Sequence, residues 1–149
     1  SFELPLFDED LERASGLPTG AKRFKELMKQ SHGFLISSPE YNSSITAALK
    51  NAIDWASRAE PDEPALAAFA GKVCGLMSAS PGALGGLRGL VTVRSILASI
   101  QVLVLPEQVA VSRAHTAFTG DGQLTDAKQQ AAIERLGARV AEVARKLAS

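Results

Sequence analysis

The chain has 149 residues, 46% apolar and 21% charged, a balance that suits a single globular domain over 1–149 and excludes a disordered or fibrous segment. Sixteen basic residues match sixteen acidic ones, with no Lys/Arg run and only one Trp and one Tyr, so the charge and stacking surface of a nucleic-acid binder are missing. The lone Cys74 excludes an internal disulfide and suits a reducing, cytoplasmic setting. No stretch reaches the roughly 20 apolar residues of a membrane span, and His32 and His115 stand at no metal-ligand spacing.

Residues 1–20 mix Pro5, Gly16, Pro18 and Gly20 with acidic side chains, which predicts loop, with Leu4 and Leu6 able to lie along a domain edge. The spacing of Phe24, Leu27 and Met28 predicts a short amphipathic helix over 21–31. Gly33 to Ser37 reads as a strand, and residues 38–42 as a loop. A helix then starts near Ser43, capped by Asn42 or Ser43, with Ile45, Leu49, Ile53 and Ala56 on one face and Asp54 paired with Arg58. Residues 60–64, EPDEP, read as a solvated loop.

Lys72 to Ser78 is a nearly continuous apolar run around Cys74, as a central parallel strand requires. The loop Ser80-Pro81-Gly82-Ala83-Leu84-Gly85-Gly86 follows, then a helix from Leu87 to Ser99. Residues 100–111 supply a third strand region, where Pro106 predicts an edge strand or a break. Residues 113–124 read as a polar connection. Ile133, Leu136, Val140, Val143 and Leu147 mark a last helix, with Asp126 in its first turn and Arg145 and Lys146 in its last. Strands separated by single helices predict an α/β, three-layer parallel sheet.

In such sheets ligands bind beyond the carboxyl ends of the strands. Two loops qualify, 38–43 and 79–86. Neither pairs a nucleophile with a base, and His32 precedes its strand and so belongs to the opposite rim. Backbone donors and glycines without an acid–base pair suit a redox cofactor that brings its own chemistry, although ordinary βα turns share these features.

Pro39-Glu40-Tyr41-Asn42, then Ser44-Ile45, then Leu49-Lys50-Asn51-Ala52-Ile53-Asp54-Trp55, together with Ser78 to Arg88, closely resemble the NADPH-dependent FMN reductase family, which includes quinone, chromate and azo reductases. The resemblance implies a flavodoxin-like fold, bound FMN, NADPH or NADH as co-substrate, a small-molecule acceptor such as a quinone or flavin, and a homodimer or homotetramer. It implies that Pro39, Glu40, Tyr41, Asn42 and Ser43 flank the flavin ring, mostly through main-chain atoms. Ser80, Pro81, Gly82, Gly85 and Gly86 would lie near the ring and admit the nicotinamide. No residue is implied as a general base. Asp54 and Trp55 match positions near a subunit interface. Relatives often carry Gly where this chain has Ser43, which a helix N-terminus would tolerate. The family's first strand and its phosphate loop find no match within these residues, so the 149 residues are expected to correspond to the carboxyl-side portion of the family domain. The residues alone also accommodate a flavodoxin-like binding or scaffold protein without reductase activity.

Overall fold

The computed structural model describes residues 2–148. The elements run α1 (Glu9–Ser15), α2 (Thr19–Lys29), β1 (Gly33–Ser37), α3 (Ala47–Ala56), β2 (Val73–Ala79), α4 (Leu87–Ser99), β3 (Leu103–Val111), α5 (Ala114–Ala117) and α6 (Ala127–Leu147). The strands form one parallel sheet in the order β1-β2-β3, the flavodoxin-like α/β arrangement expected. Central β2 is covered on both faces. Cys74 and Leu76 join Leu90, Val93 and Leu97 of α4 on one side, with Ile53 and Met28 beyond. Val73 packs with Leu136 and Val140 of α6 on the other. Completely burying a Leu or Val of this kind contributes roughly 1.5–3 kcal/mol, so the two clusters hold the three layers together.

The α6 face of the sheet is floored with glycine. A Cβ on Gly33 or Gly75 would come within 2.8–3.1 Å of Val73 and of the Val140 and Leu136 side chains, so α6 lies closer to the sheet than any other residue would permit.

Pro106 belongs to an edge strand and also to a break in it. The register jumps from Cys74↔Val104 to Leu76↔Gln108, leaving Leu105, Pro106 and Glu107 bulged opposite Gly75. A missing N–H costs nothing there. Arg94 of α4 fills the bulge, donating to the Leu105 carbonyl at 2.7 Å and to Gln108 Oε1 at 2.9 Å.

Several local expectations give way. Residues 9–15 are helical rather than loop, because Asp8 caps them by accepting from the amides of Asp10 and Leu11. Residues 114–117 form a short helical turn within the connection read as irregular. Leu6 and Leu27 face solvent; Leu4 and Phe7 make the edge contact instead, against Trp55. Helix α3 starts at Ala47 and not near Ser43, and its cap is Thr46, whose Oγ1 accepts from the Leu49 amide at 3.0 Å. Asp126 caps α6 rather than sitting in its first turn.

Asp54 pairs with Lys50, not Arg58, while Arg58 reaches Glu12 at 2.8 Å. The 60–64 segment is no free solvated loop either. Lys25 is buried, donates to the Arg58 carbonyl at 2.7 Å, and pairs with Glu60 and Glu63. Burial pushes the Lys25 ammonium below its ordinary range, partly offset by Glu60. Two carboxylates are therefore drawn inward to compensate one buried cation.

Trp55 has no exposed surface. Its ring meets Phe7 edge-on at 4.9 Å, and Nε1 donates to the Pro5 carbonyl at 2.8 Å. Asn51, one turn earlier, donates to the same carbonyl at 2.9 Å and accepts from the Phe7 amide at 2.8 Å. Trp55 is thus packed within its own chain, covered by residues 4–7.

Candidate functional site

Parallel pairing brings the segments after β1 and β2 to one rim, as the sequence implied. Ser38, just past β1, is joined to β2 by its amide, which donates to the Met77 carbonyl at 3.0 Å. The chain then makes a two-residue turn. Tyr41 and Ser44 exchange both backbone hydrogen bonds at 3.0 Å, with Asn42 and Ser43 between them at φ 51° and 65°. Two consecutive left-handed residues define a type I′ turn, for which Asn is well suited and Ser is not. Ser43 is therefore a turn residue under backbone strain rather than a tolerated helix cap. Tyr41 stands out into solvent, 62% exposed. Pro39, Asn42 and Ser43 are also exposed. The amides of Glu40, Asn42 and Ser43 find no backbone partner among the described residues.

The second loop is stapled from below. Ser78 Oγ donates to the Gly85 carbonyl at 2.7 Å, and the Ser80 amide donates to the Val111 carbonyl at 3.0 Å. Gly85 and Gly86 are buried at φ 61° and 91°. A Cβ on Gly85 would stand 2.8 Å from the Ser112 amide, and one on Gly86 2.9 Å from Ser78. These two glycines are required by the loop's own closure. Pro81 and Gly82 form the exposed crest, where a Cβ on Gly82 would meet nothing nearer than Ser80 Oγ at 3.8 Å.

Glu40 joins the loops. Its carboxylate accepts from the Arg88 Nε at 2.8 Å, the Arg88 amide at 3.1 Å and the Gly89 amide at 3.4 Å. It thereby occupies the N-terminus of α4, and its side chain is only 8% exposed. Hydrogen bonding from Arg88 holds the Glu40 carboxyl below the usual carboxylate range, aided by the Gly89 amide and opposed by desolvation. Arg88 stood in the sequence two positions after the glycine pair, but nothing there indicated that it would pair with a residue 48 positions earlier.

His32 lies at the opposite rim, near Gly71, Lys72 and the end of α6, as its place before β1 implied. A hollow of about 600 Å³ runs along the outer flank of β3 between Glu107, Val109, Leu136 and Arg139, and neither loop lines it. Strand-end position, not volume, marks the site in a parallel sheet. Buried Cys74 is no part of it. Burial pushes its thiol up to about 12. Among the described residues no group of His, Cys, Asp and Glu side chains is arranged to hold a metal ion, and no helix is long and apolar enough to cross a membrane.

The comparisons with known proteins agree with this geometry. The chain is 38% identical over 133 residues to an NAD(P)H-dependent FMN reductase of Pseudomonas aeruginosa, covering 89% of the chain and 69% of the relative. It is 38% identical over 103 residues to a quinone reductase of Escherichia coli, of whose length it spans about half, 52%. Among solved structures, the flavoenzyme NAD(P)H:(acceptor) oxidoreductase FerB of Paracoccus denitrificans is similar with a TM-score of 0.75 and 26% identity, over 97% of this chain and 75% of that one. The azoreductase AzrA shares the fold at a TM-score of 0.50 and 18% identity, over 97% and 77%. The family model described as NADPH-dependent FMN reductase matches residues 1–116, both loops included, and the chain belongs to that family.

Proposed function

We propose that the rim between the two loops receives the ring of FMN, and that the protein works as an NAD(P)H-dependent flavin oxidoreductase. The observation that carries this reading is the coupling of the loops through Glu40. It ties the segment that carries the free amides of Glu40, Asn42 and Ser43 to the start of α4, where the side-chain-poor loop with its crest at Pro81 and Gly82 ends. Such a surface suits a flat heterocycle edged with hydrogen-bond acceptors. FMN, when bound, supplies the chemistry of accepting a hydride from the nicotinamide and releasing electrons to an acceptor. Preorganised backbone donors at the ring edge favour the negative charge that develops there. Tyr41, exposed beside the turn, covers the ring from water. Quinones and flavins are acceptors of suitable shape, and assembly as a homodimer or homotetramer in the cytoplasm accords with the family.

The phosphate end of the flavin calls for other residues. A dianion is commonly met by free amides at a helix N-terminus. The α4 amides of Arg88 and Gly89 are occupied by Glu40, and the Leu49 amide of α3 is occupied by Thr46.

The 149-residue chain, purified and mixed with FMN and with riboflavin, tests both parts. A shifted flavin spectrum with comparable affinity for the two ligands is the expected result. No spectral change with either would overturn the reading in favour of a non-catalytic flavodoxin-like module. A tenfold or greater preference for FMN, about 1.4 kcal/mol, would show that these residues do hold the phosphate.

A further inference from the structure

On the far side of the glycine-rich loop from Tyr41 lies a second, smaller hollow of about 340 Å³, bounded by Ala83, Arg113, Thr116, Thr125, Asp126 and Gln129. It is fixed to the crest of that loop. The Arg113 amide donates to the Gly82 carbonyl at 3.4 Å, and the Ala114 amide donates to the Ser80 carbonyl at 3.0 Å. Any group in the hollow is therefore held at a set offset from the proposed ring site.

Its lining is polar in a specific way. Arg113 lines the hollow and forms no ion pair among the described residues. Thr116 and Thr125 donate their hydroxyl protons to the carbonyls of Arg113 and Ala117 at 3.2 Å, which leaves their oxygens as acceptors. Asp126 spends Oδ1 on the amides of Lys128 and Gln129, and Oδ2 has no partner among the described residues. An unpaired guanidinium beside a half-used carboxylate suits a ligand that carries both an anion and hydroxyl donors. A simple carboxylate or sulfate would meet only repulsion from Asp126. A phosphoribosyl group meets both demands, with phosphate on Arg113 and a ribose hydroxyl on Asp126.

We propose that this hollow is the subsite for a phosphoribosyl portion of the nicotinamide dinucleotide, with Arg113 as its phosphate-binding residue. The inference rests on the flavin-reductase reading for the dinucleotide's identity, but the subsite can be measured without flavin or turnover. The phosphate can be the pyrophosphate common to both dinucleotides or the 2′-phosphate of NADPH alone.

Calorimetric titration with ADP and with 2′,5′-ADP reads the subsite directly. Arg113→Gln is expected to weaken binding about tenfold, the loss of one charge-assisted contact, while Arg113→Lys recovers part of it. Loss for both nucleotides assigns the pyrophosphate, and loss for 2′,5′-ADP alone assigns the 2′-phosphate. Thr116→Val, farther from the backbone staple, should give a smaller loss in the same direction. Flavin spectra of the same variants should match the unsubstituted protein, which separates this test from that of the ring site. Absence of binding by the unsubstituted protein, or equal affinities for it and Arg113→Gln, would overturn the proposal.

Discussion

Glu40 and Arg88 meet across the rim of the sheet. The carboxylate of one takes the side-chain Nε of the other at 2.8 Å and its backbone amide at 3.1 Å. A single acidic residue thus serves as the cap of α4 and as the brace between two loops. Replacing it should harm binding more than folding. Glu40→Ala is expected to lower the thermal midpoint modestly and to weaken flavin binding severalfold, because the turn at Asn42 loses its anchor. Equal flavin affinity in Glu40→Ala and the unsubstituted protein would remove the brace from the account.

The same contact has a pH dependence of known sign. The folded-state pKa of Glu40 lies below its ordinary value, so its contribution to stability is complete above the ordinary carboxylate range. It disappears as pH falls through the lowered folded value. Denaturation of the protein and of Glu40→Gln should differ at neutral pH and converge in strong acid. A difference that grew toward acid would contradict the sign.

Ser43 supplies a test of strain. It occupies a left-handed position that costs a non-glycine residue roughly 1 kcal/mol, partly offset by the entropy glycine loses on folding. Ser43→Gly should therefore stabilise the protein by about 0.5 kcal/mol, read from the midpoint of urea denaturation. Destabilisation would mean that the hydroxyl contributes more than the turn geometry implies.

The strap over α3 depends on two side chains one turn apart. Trp55→Phe removes the donor to the Pro5 carbonyl and part of a completely buried ring, and should cost about 1–3 kcal/mol. Asn51→Ala strands the Phe7 amide and should cost about 1 kcal/mol. The two losses should be non-additive, since both residues share Pro5. Fully additive values from a double-mutant cycle would separate them.

Cys74 should be inert. Its thiol is buried and its pKa raised to about 12, so almost no thiolate exists under ordinary conditions. Alkylation monitored by mass spectrometry is expected only after denaturant is added. Rapid labelling of the native protein would show that β2 opens readily.

Much of this architecture was legible where pattern is local. The strand at Gly33–Ser37 and the helix at Leu87–Ser99 coincide with their sequence-based bounds, because apolar runs and flanking glycines mark them. The candidate loops were legible as strand ends, and their shared rim follows from parallel pairing. What escaped were relationships over long separations. Glu63 reads as part of a solvated turn until Lys25, 38 residues earlier, is folded against it. Nothing in the sequence marks what covers Trp55 until Pro5 and Phe7 lie over it. Ser43 reads as a helix cap because Thr46, the real cap, is an equally good candidate by type. Arg113 carried no signal at all, since an arginine in a polar connection is unremarkable until its neighbours are known.

The glycine floor beneath α6 acts as a fulcrum. The helix is a rigid rod touching down near Val140, and Asp126 lies about 21 Å from that point at 1.5 Å per residue. A methyl group at Gly75 would wedge the rod upward at the pivot, and a small tilt there becomes a larger swing at the far tip. The wall of the hollow holding Asp126 and Gln129 is thereby levelled by a residue on the central strand that touches no ligand. Its alignment with Arg113 is a matter of how closely one helix can rest on bare backbone.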